Sequence, residues 1–314
     1  MLLTQQVSFV IPVYNEQESI PELIRHIFKL QKQIRKKKFE IIFVDDGSTD
    51  NSAAIIQKMQ KKNANIFLYS FRKNMGKANA LQTGFRYATG SLIITMDADL
   101  QDGVENIPNL IQKLNSGYDL VVGWKKIRHD PFNKRFPSKI FNLIVSKISG
   151  LAIHDFNSGL KIMRIQVARE LRLYGELHRF IPFLADQRGF RVTEIPVNHH
   201  PRKYGKSKYG SSRFMRGIFD VITVTFLRRY GQSPLHFFGI IGAISFGLGI
   251  ITGIYLSILH FSGQTIGRRP LLFLAILLVL AGLQVISIGL IGEMIVDKTS
   301  SQNFPIENKK SDDP

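Results

Sequence analysis

The sequence predicts an α/β domain on a mainly parallel, doubly wound sheet, followed by an amphipathic juxtamembrane helix and two transmembrane helices. Three observations carry this. Strand-like and helix-like runs alternate through the first 125 residues, the pattern of successive βα units. An apolar run, Leu92-Ile93-Ile94-Thr95-Met96, ends in Asp97-Ala98-Asp99, so acidic side chains close what reads as a buried strand. Two later stretches, 234–261 and 270–296, are long and nearly uncharged.

Taken in order, strands are expected at 7–13, 39–45, 66–70, 92–97 and 119–123, and helices at 18–34, 52–62, 77–88 and 104–114. Further strands are expected at 158–164 and 191–197. Segment 137–150 carries Ile140, Phe141, Ile144, Val145 and Ile148 on one helical face. Segment 211–231 sets Phe214, Ile218, Val221, Ile222 and Phe226 against Arg213, Arg216, Arg228 and Arg229, as an interfacial helix does. Each of the two apolar stretches would measure roughly 40 Å as a helix, more than the ~30 Å of bilayer hydrocarbon. The glycines of the first, among them Gly249 and Gly253, form a small-residue face suited to helix association and to a homo-oligomer. The polar tail at 299–314 is expected to lack order. The catalytic domain then occupies 1–210.

The chain carries 42 Lys and Arg against 24 Asp and Glu, a net charge of +18. One basic cluster holds Lys125, Lys126, Arg128, Lys134, Arg135 and Lys139; a second, from Arg202 to Arg229, directly precedes the first apolar stretch. Basic residues beside a span mark the cytoplasmic side and attract anionic lipid. That placement argues for a bilayer and against nucleic acid as the partner, with both termini cytoplasmic. The absence of cysteine excludes disulfides and thiolate metal sites. No cleaved leader is expected, because the first strand run begins at Val7 with no basic segment before it.

The chemistry belongs in the loops after the strands, where open α/β sheets bind ligands. Asp97 and Asp99, two residues apart, offer hard oxygen donors suited to Mg²⁺ or Mn²⁺. Asp45 and Asp46 stand paired at another strand end, while Ser48, Thr49 and Asp50 read as helix N-caps. Lys77 follows the third strand in Arg72-Lys73-Asn74-Met75-Gly76-Lys77.

Several of these segments together resemble a known family. Val10-Ile11-Pro12-Val13-Tyr14-Asn15-Glu16, Val44-Asp45-Asp46-Gly47-Ser48-Thr49-Asp50 and Asp97-Ala98-Asp99-Leu100-Gln101 look like the family-two glycosyltransferases of GT-A fold, a Rossmann-like arrangement. His178-Arg179-Phe180-Ile181-Pro182 and the Pro201–Tyr209 segment, with its Gly205-Lys206-Ser207-Lys208, are similar to the polyisoprenyl-phosphate branch. That branch includes dolichol-phosphate mannose synthases and bactoprenol glucosyltransferases. The two-span tail fits bacterial members of the inner membrane.

The resemblance implies inverting transfer of a sugar from a nucleotide sugar to a polyprenyl phosphate. UDP-glucose is the first expectation for the donor and GDP-mannose the second. It implies that Pro12, Tyr14, Glu16, Asp45, Asp46, Lys77 and Asp97 hold the donor. Asp97, Asp99 and Gln101 would hold the metal. Arg128, Arg135, Lys161, Arg202 and Lys208 would meet the acceptor phosphate; Lys161 stands where the family often has Arg. Asp155, in His154-Asp155-Phe156-Asn157-Ser158-Gly159-Leu160-Lys161, is the best catalytic carboxylate beside Asp99, either as base or to orient a cation, and Glu176 is the second choice. A processive polysaccharide synthase is disfavoured: the sole tryptophan, Trp124, lacks the Gln-x-x-Arg-Trp context. A catalytically inert membrane scaffold is the rival from another class.

Overall fold

The computed structural model describes residues 6–33, 39–126, 142, 143, 145–147, 150–204, 223, 226, 230, 231, 233–267 and 269–300. It divides into two compact units, Met1–Ile222 and Thr223–Pro314. Arg128, Arg135 and Lys208, most of the expected amphipathic helices at 137–150 and 211–231, and the tail from 301 lie outside the described residues.

The first unit is built on a seven-stranded sheet of order β3-β2-β1-β4-β6-β5-β7. Its strands are β1 (Val7–Val13), β2 (Phe39–Asp45), β3 (Ile66–Ser70), β4 (Leu92–Thr95), β5 (Leu120–Trp124), β6 (Lys161–Arg164) and β7 (Val192–Pro196). Helices α1 (Ile20–Gln33), α2 (Ser52–Gln60), α3 (Lys77–Tyr87) and α4 (Ile107–Asn115) connect the first five strands. Short helices α5 (Ile165–Glu170) and α6 (Ile181–Asp186) follow β6. Neither short helix was expected from periodicity, since six residues are too few to establish a repeat.

The sheet is parallel except for β6, which pairs antiparallel with both β4 and β5. It is therefore mixed but mostly parallel. The reversal brings the start of β6, Lys161, to the same edge as the carboxyl ends of the other strands. Lys161 lies opposite Thr95 on one side and Val122 on the other. Helix α4 is preceded by a 3-10 turn at Val104–Asn106, because Pro108 sits in its first turn. The central strands are apolar on both faces, with Val7, Phe9, Val10, Ile11, Ile41, Ile42 and Phe43 all buried, as expected of parallel strands covered by helices on both sides.

Pro12 lies in central β1 yet breaks no ladder there. Pairing with β4 stops at Val10–Thr95, so the missing N–H falls beyond that partner. At the opposite end of the sheet, buried Glu40 ties β2 to the loop before β4. Its Oε1 accepts the Thr89 N–H (2.7 Å) and the Gly90 N–H (3.2 Å), and its Oε2 accepts the Thr89 hydroxyl (3.0 Å). The Ser8 hydroxyl also donates to it.

The second unit contains α7 (Pro234–Phe261) and α8 (Pro270–Ser300), packed as a hairpin. Each is long and apolar enough to cross a bilayer. Ile240, Ile244, Ile251, Phe273, Leu277 and Met294 remain exposed on their outer faces. Core helices would cover such side chains; a lipid-facing hairpin would not. Gly249 approaches α8 so closely that a Cβ would lie 2.7 Å from Val279 Cγ2 and 3.0 Å from the Ala275 carbonyl oxygen. Part of the glycine face thus closes the hairpin within one chain. Glu293, from α8, accepts the Leu235 N–H at 3.1 Å and satisfies a donor in the first turn of α7.

Replacing Glu40 with alanine strands the Thr89 N–H and the Ser8 hydroxyl, while the Gly90 N–H keeps Ser8 Oγ at 2.8 Å, and should lower stability by about 2–4 kcal/mol. The measurement is denaturant unfolding of the detergent-solubilised chain. An unchanged midpoint would show that the network carries no load.

Candidate active site

The carboxyl edge of the sheet collects the loops after β1, β2, β4, β5 and β7. The first two are laced together. Asn15 takes the left-handed conformation (φ 53°). Its N–H donates to Ser48 Oγ (2.9 Å), and its Oδ1 accepts the Thr49 N–H (2.7 Å). The Glu16 N–H donates to Ser52 Oγ at 2.8 Å. Asp50 accepts the Gln17 N–H (3.2 Å) and the Ser52 N–H (2.9 Å). Ser48 and Thr49, expected to cap a helix, instead bind the neighbouring loop, and Asp50 binds that loop while holding the Ser52 N–H at the start of α2. Sequence spacing could not show this, because the partners are more than 30 residues away.

Asp45 and Asp46 are both buried, and each holds loop backbone. Asp45 accepts the Ser48 N–H at 3.1 Å. Asp46 accepts the Met75 N–H (2.6 Å) and the Gly76 N–H (3.0 Å), joining the β2 loop to the start of α3. Burial raises the Asp46 carboxyl above its ordinary range, although those two donors oppose the shift. Gly47 between these loops has φ 70°, and a Cβ there would come within 2.5 Å of Lys73 backbone. Only glycine fits.

The acidic pair does not sit on a strand as the spacing suggested. β4 stops at Thr95, and Asp99 lies in a turn that Leu100 completes at φ 63°. The turn separates the aspartates' partners. Lys77, at the start of α3, pairs with Asp97. Arg202 pairs with Asp99 at 2.6 Å and approaches Glu16 at 4.0 Å. Ser19 donates to Glu16 at 3.2 Å. The Gln101 N–H donates to Asp99 Oδ1 at 3.2 Å, and the Gln101 carbonyl accepts the His200 N–H at 3.0 Å.

Beneath the turn lies a pair not singled out from the sequence. Buried Asp102 accepts the Asp97 N–H through Oδ2 (3.1 Å) and pairs through Oδ1 with Lys125 (2.8 Å). The sequence signal is faint: Asp102 carries no pattern of its own, and Lys125 is one of many cations. Burial works against the Lys125 charge, but Asp102, Asp97 and Asp155 together raise its affinity for a proton. Burial also works to neutralise Asp97; Lys77, then Lys125 and Lys161, hold it well below the usual carboxylate range. Asp99 is shifted the other way, raised by burial and then by Asp97 and Asp102.

Lys161 is buried and donates to the Ser158 carbonyl. Burial and then Lys77 push its ammonium down to about 8. Asp155 is fully enclosed, and its charge acts on both Lys125 and Lys161. Pro12, Lys77, Asp97, Lys161 and His178 line one small cleft. Tyr14 and Glu16 follow β1 at the same edge. Glu176 pairs with Arg179 at 2.9 Å, and no contact joins it to the aspartates among the described residues.

The donor chemistry fits a divalent cation. Asp97 and Asp99 are hard carboxylates close enough to perturb each other. Gly159 leaves room beside them: a Cβ there would lie 2.7 Å from the Asp97 carboxyl and 2.8 Å from Asp102 Oδ2. Among the described residues no three acidic or histidine side chains form a closed cage. Mg²⁺ and Mn²⁺ commonly use one or two carboxylates, with phosphate and water completing the shell.

A mostly parallel sheet with an Asp-x-Asp turn and cations at its carboxyl edge defines the GT-A class of fold. Residues 8–172 match the family described as glycosyl transferase family 2, and the chain belongs to that family of sugar-transferring enzymes. It is 36% identical over 299 residues to a dodecaprenyl-phosphate galacturonate synthase of Rhizobium johnstonii, covering 92% of this chain and 87% of the relative. Among solved structures it resembles a Pyrobaculum calidifontis mannosyltransferase in complex with GDP-mannose and Mn²⁺ (TM-score 0.54, 18% identity, 97% of this chain and 78% of that one). It also resembles a Mycobacterium tuberculosis glucosyl-3-phosphoglycerate synthase in complex with Mn²⁺, UDP and phosphoglyceric acid (TM-score 0.54, 17% identity, 71% and 78%).

Gly159→Ala should push Asp97 out of place. We expect Mn²⁺ affinity, read by calorimetry on the purified chain, to fall at least about tenfold, with a lowered melting temperature because the same Cβ also meets Asp102. Unchanged affinity would remove Asp97 from the metal assignment.

Proposed function

We propose that the chain transfers a sugar from a nucleotide sugar to a polyprenyl phosphate at the cytoplasmic membrane face. One observation carries the reading. Asp97 and Asp99 share the sheet's carboxyl edge with Lys77, Lys125, Lys161 and Arg202, in a chain that also holds a bilayer-length hairpin. The name of the Rhizobium relative supports the lipid acceptor. The basic residues flanking the first span support the cytoplasmic side.

The reaction joins two anions. Unit charges about 6 Å apart repel by about 3 kcal/mol at an effective dielectric of 20. In this reading Lys161 and Arg202 offset this at the acceptor phosphate. Lys77, bound to Asp97, stands at the donor side. An acceptor oxygen attacks the anomeric carbon with inversion, and the carbon–oxygen bond to the nucleoside diphosphate breaks, its electron pair leaving with the diphosphate. A divalent cation held by Asp97 and Asp99, with Gln101 alongside, would neutralise the leaving charge as a Lewis acid. A phosphate monoester has its second pKa near 6, so at neutral pH the nucleophile needs no general base. Asp155 is then free to hold Lys125 and Lys161. For the donor, the resemblance to the bacterial two-span branch favours glucose, and the name of the relative favours galacturonate.

The test is transfer of label from UDP-glucose, UDP-galacturonate or GDP-mannose to undecaprenyl phosphate by purified protein with Mn²⁺ or Mg²⁺. Label should enter the organic phase from one donor and be lost on chelation. Asp99→Asn should lower transfer at least about 100-fold while the protein stays folded. No transfer from any donor by folded protein would favour the inert scaffold.

Lys161 adds a pH dependence. It loses its proton above about 8, so kcat/KM for the lipid phosphate should fall about tenfold per pH unit beyond that point. Below about pH 6 the acceptor itself becomes protonated, giving the acid limb. Lys161→Arg keeps its charge past pH 12 and should abolish the alkaline limb. An identical profile in the variant would exclude Lys161.

A further inference from the structure

His178 is used by no step above, yet its position is unusual. It stands in the 3-10 turn Leu177–Phe180 and is 9% exposed. It lines the cleft with Pro12, Lys77, Asp97, Ser158 and Lys161. Its Nδ1 is buried with no hydrogen-bond partner among the described residues. A buried polar atom without a partner is costly, and native folds rarely keep one without cause. The cost disappears if a ligand entering the cleft brings the partner.

We propose that His178 is a specificity-determining residue whose Nδ1 hydrogen-bonds a hydroxyl of the transferred sugar. This rests on the nucleotide-sugar reading of the same cleft. The choice of a hydroxyl over a phosphate follows from the neighbours. Lys77 and Lys161 supply positive charge within the cleft, and a phosphate would seek them. A histidine enclosed beside two lysines and Arg179 is a poor cation: burial, then Lys77, Arg179 and Lys161, lower its proton affinity well below the ordinary histidine range. A neutral imidazole offers one donor and one acceptor, which suits a neutral hydroxyl. Binding sites built to hydrogen-bond a hydroxyl discriminate strongly, because the analogue lacking it strands the buried partner.

The test compares binding of a nucleotide sugar with binding of its own nucleoside diphosphate. Calorimetry on the full-length protein in detergent with Mn²⁺ would use UDP-glucose, UDP-galacturonate and UDP, with GDP-mannose and GDP as the second series. His178→Leu removes both ring nitrogens. It should weaken the nucleotide sugar tenfold or more while changing the diphosphate less than twofold. His178→Asn returns an amide to the Nδ1 position and should restore most of the loss. An equal loss for sugar nucleotide and diphosphate, or no loss for either, overturns the proposal. If His178→Leu does not fold, His178→Gln, which moves its amide to the Nε2 position, must show the same selective loss; an unselective result overturns the proposal. Wild type that binds no nucleotide sugar would sink both this proposal and the function on which it rests. Selective binding without transfer to lipid would sink only the lipid acceptor.

Discussion

The site depends on one buried contact, the carboxylate of Asp102. It holds the Asp97 N–H with one oxygen and Lys125 with the other. Through the first bond it sets where the Asp-x-Asp turn leaves β4. Through the second it anchors a cation beneath that turn. Buried ion pairs add little net stability, but removing one partner leaves an uncompensated charge and costs about 3–5 kcal/mol. The constraint is therefore one of position. Gly159 belongs to the same arrangement, since its bare Cα is what lets β6 start against the Asp97 and Asp102 carboxylates.

Around that contact the charges alternate. Asp97, Asp99, Asp102 and Asp155 interleave with Lys77, Lys125, Lys161 and Arg202, each acid acting on at least one cation. Low dielectric makes every such interaction strong and every unpaired charge expensive. The network thus keeps basic groups ready beside the acidic turn in the absence of substrate. In the proposed reaction, incoming phosphates and a metal would exchange partners within it without exposing a bare charge. The opposite shifts of Asp97 and Asp99 follow from their surroundings: Lys77, Lys125 and Lys161 hold Asp97 down, whereas burial and the carboxylates of Asp97 and Asp102 raise Asp99.

Much of this was legible in the chain. The alternation of apolar runs placed the first five strands, and the ends of long apolar runs marked Asp45, Asp46, Asp97 and Asp99 as edge residues. What escaped was set by contacts distant in sequence. Asp102 and Lys125 carry no local pattern, yet they meet because β4 and β5 flank β6. His178 belonged to a motif without a role, and only enclosure by α3 and the β6 loop shows an unpartnered nitrogen. Ser48 and Asp50 looked like caps because capping is local; Asn15 and Gln17, which they hold, come from another loop.

The fold class, the bilayer-length hairpin and the acidic residues at the strand ends were readable from the chain. Those features depend on periodicity, length and residue type, which are local properties. Tertiary structure alone decided which cation meets which carboxylate, that β6 runs antiparallel and delivers Lys161 to the edge, and that His178 is enclosed. These depend on which segments become neighbours in space, and burial then sets how strongly each charge is felt.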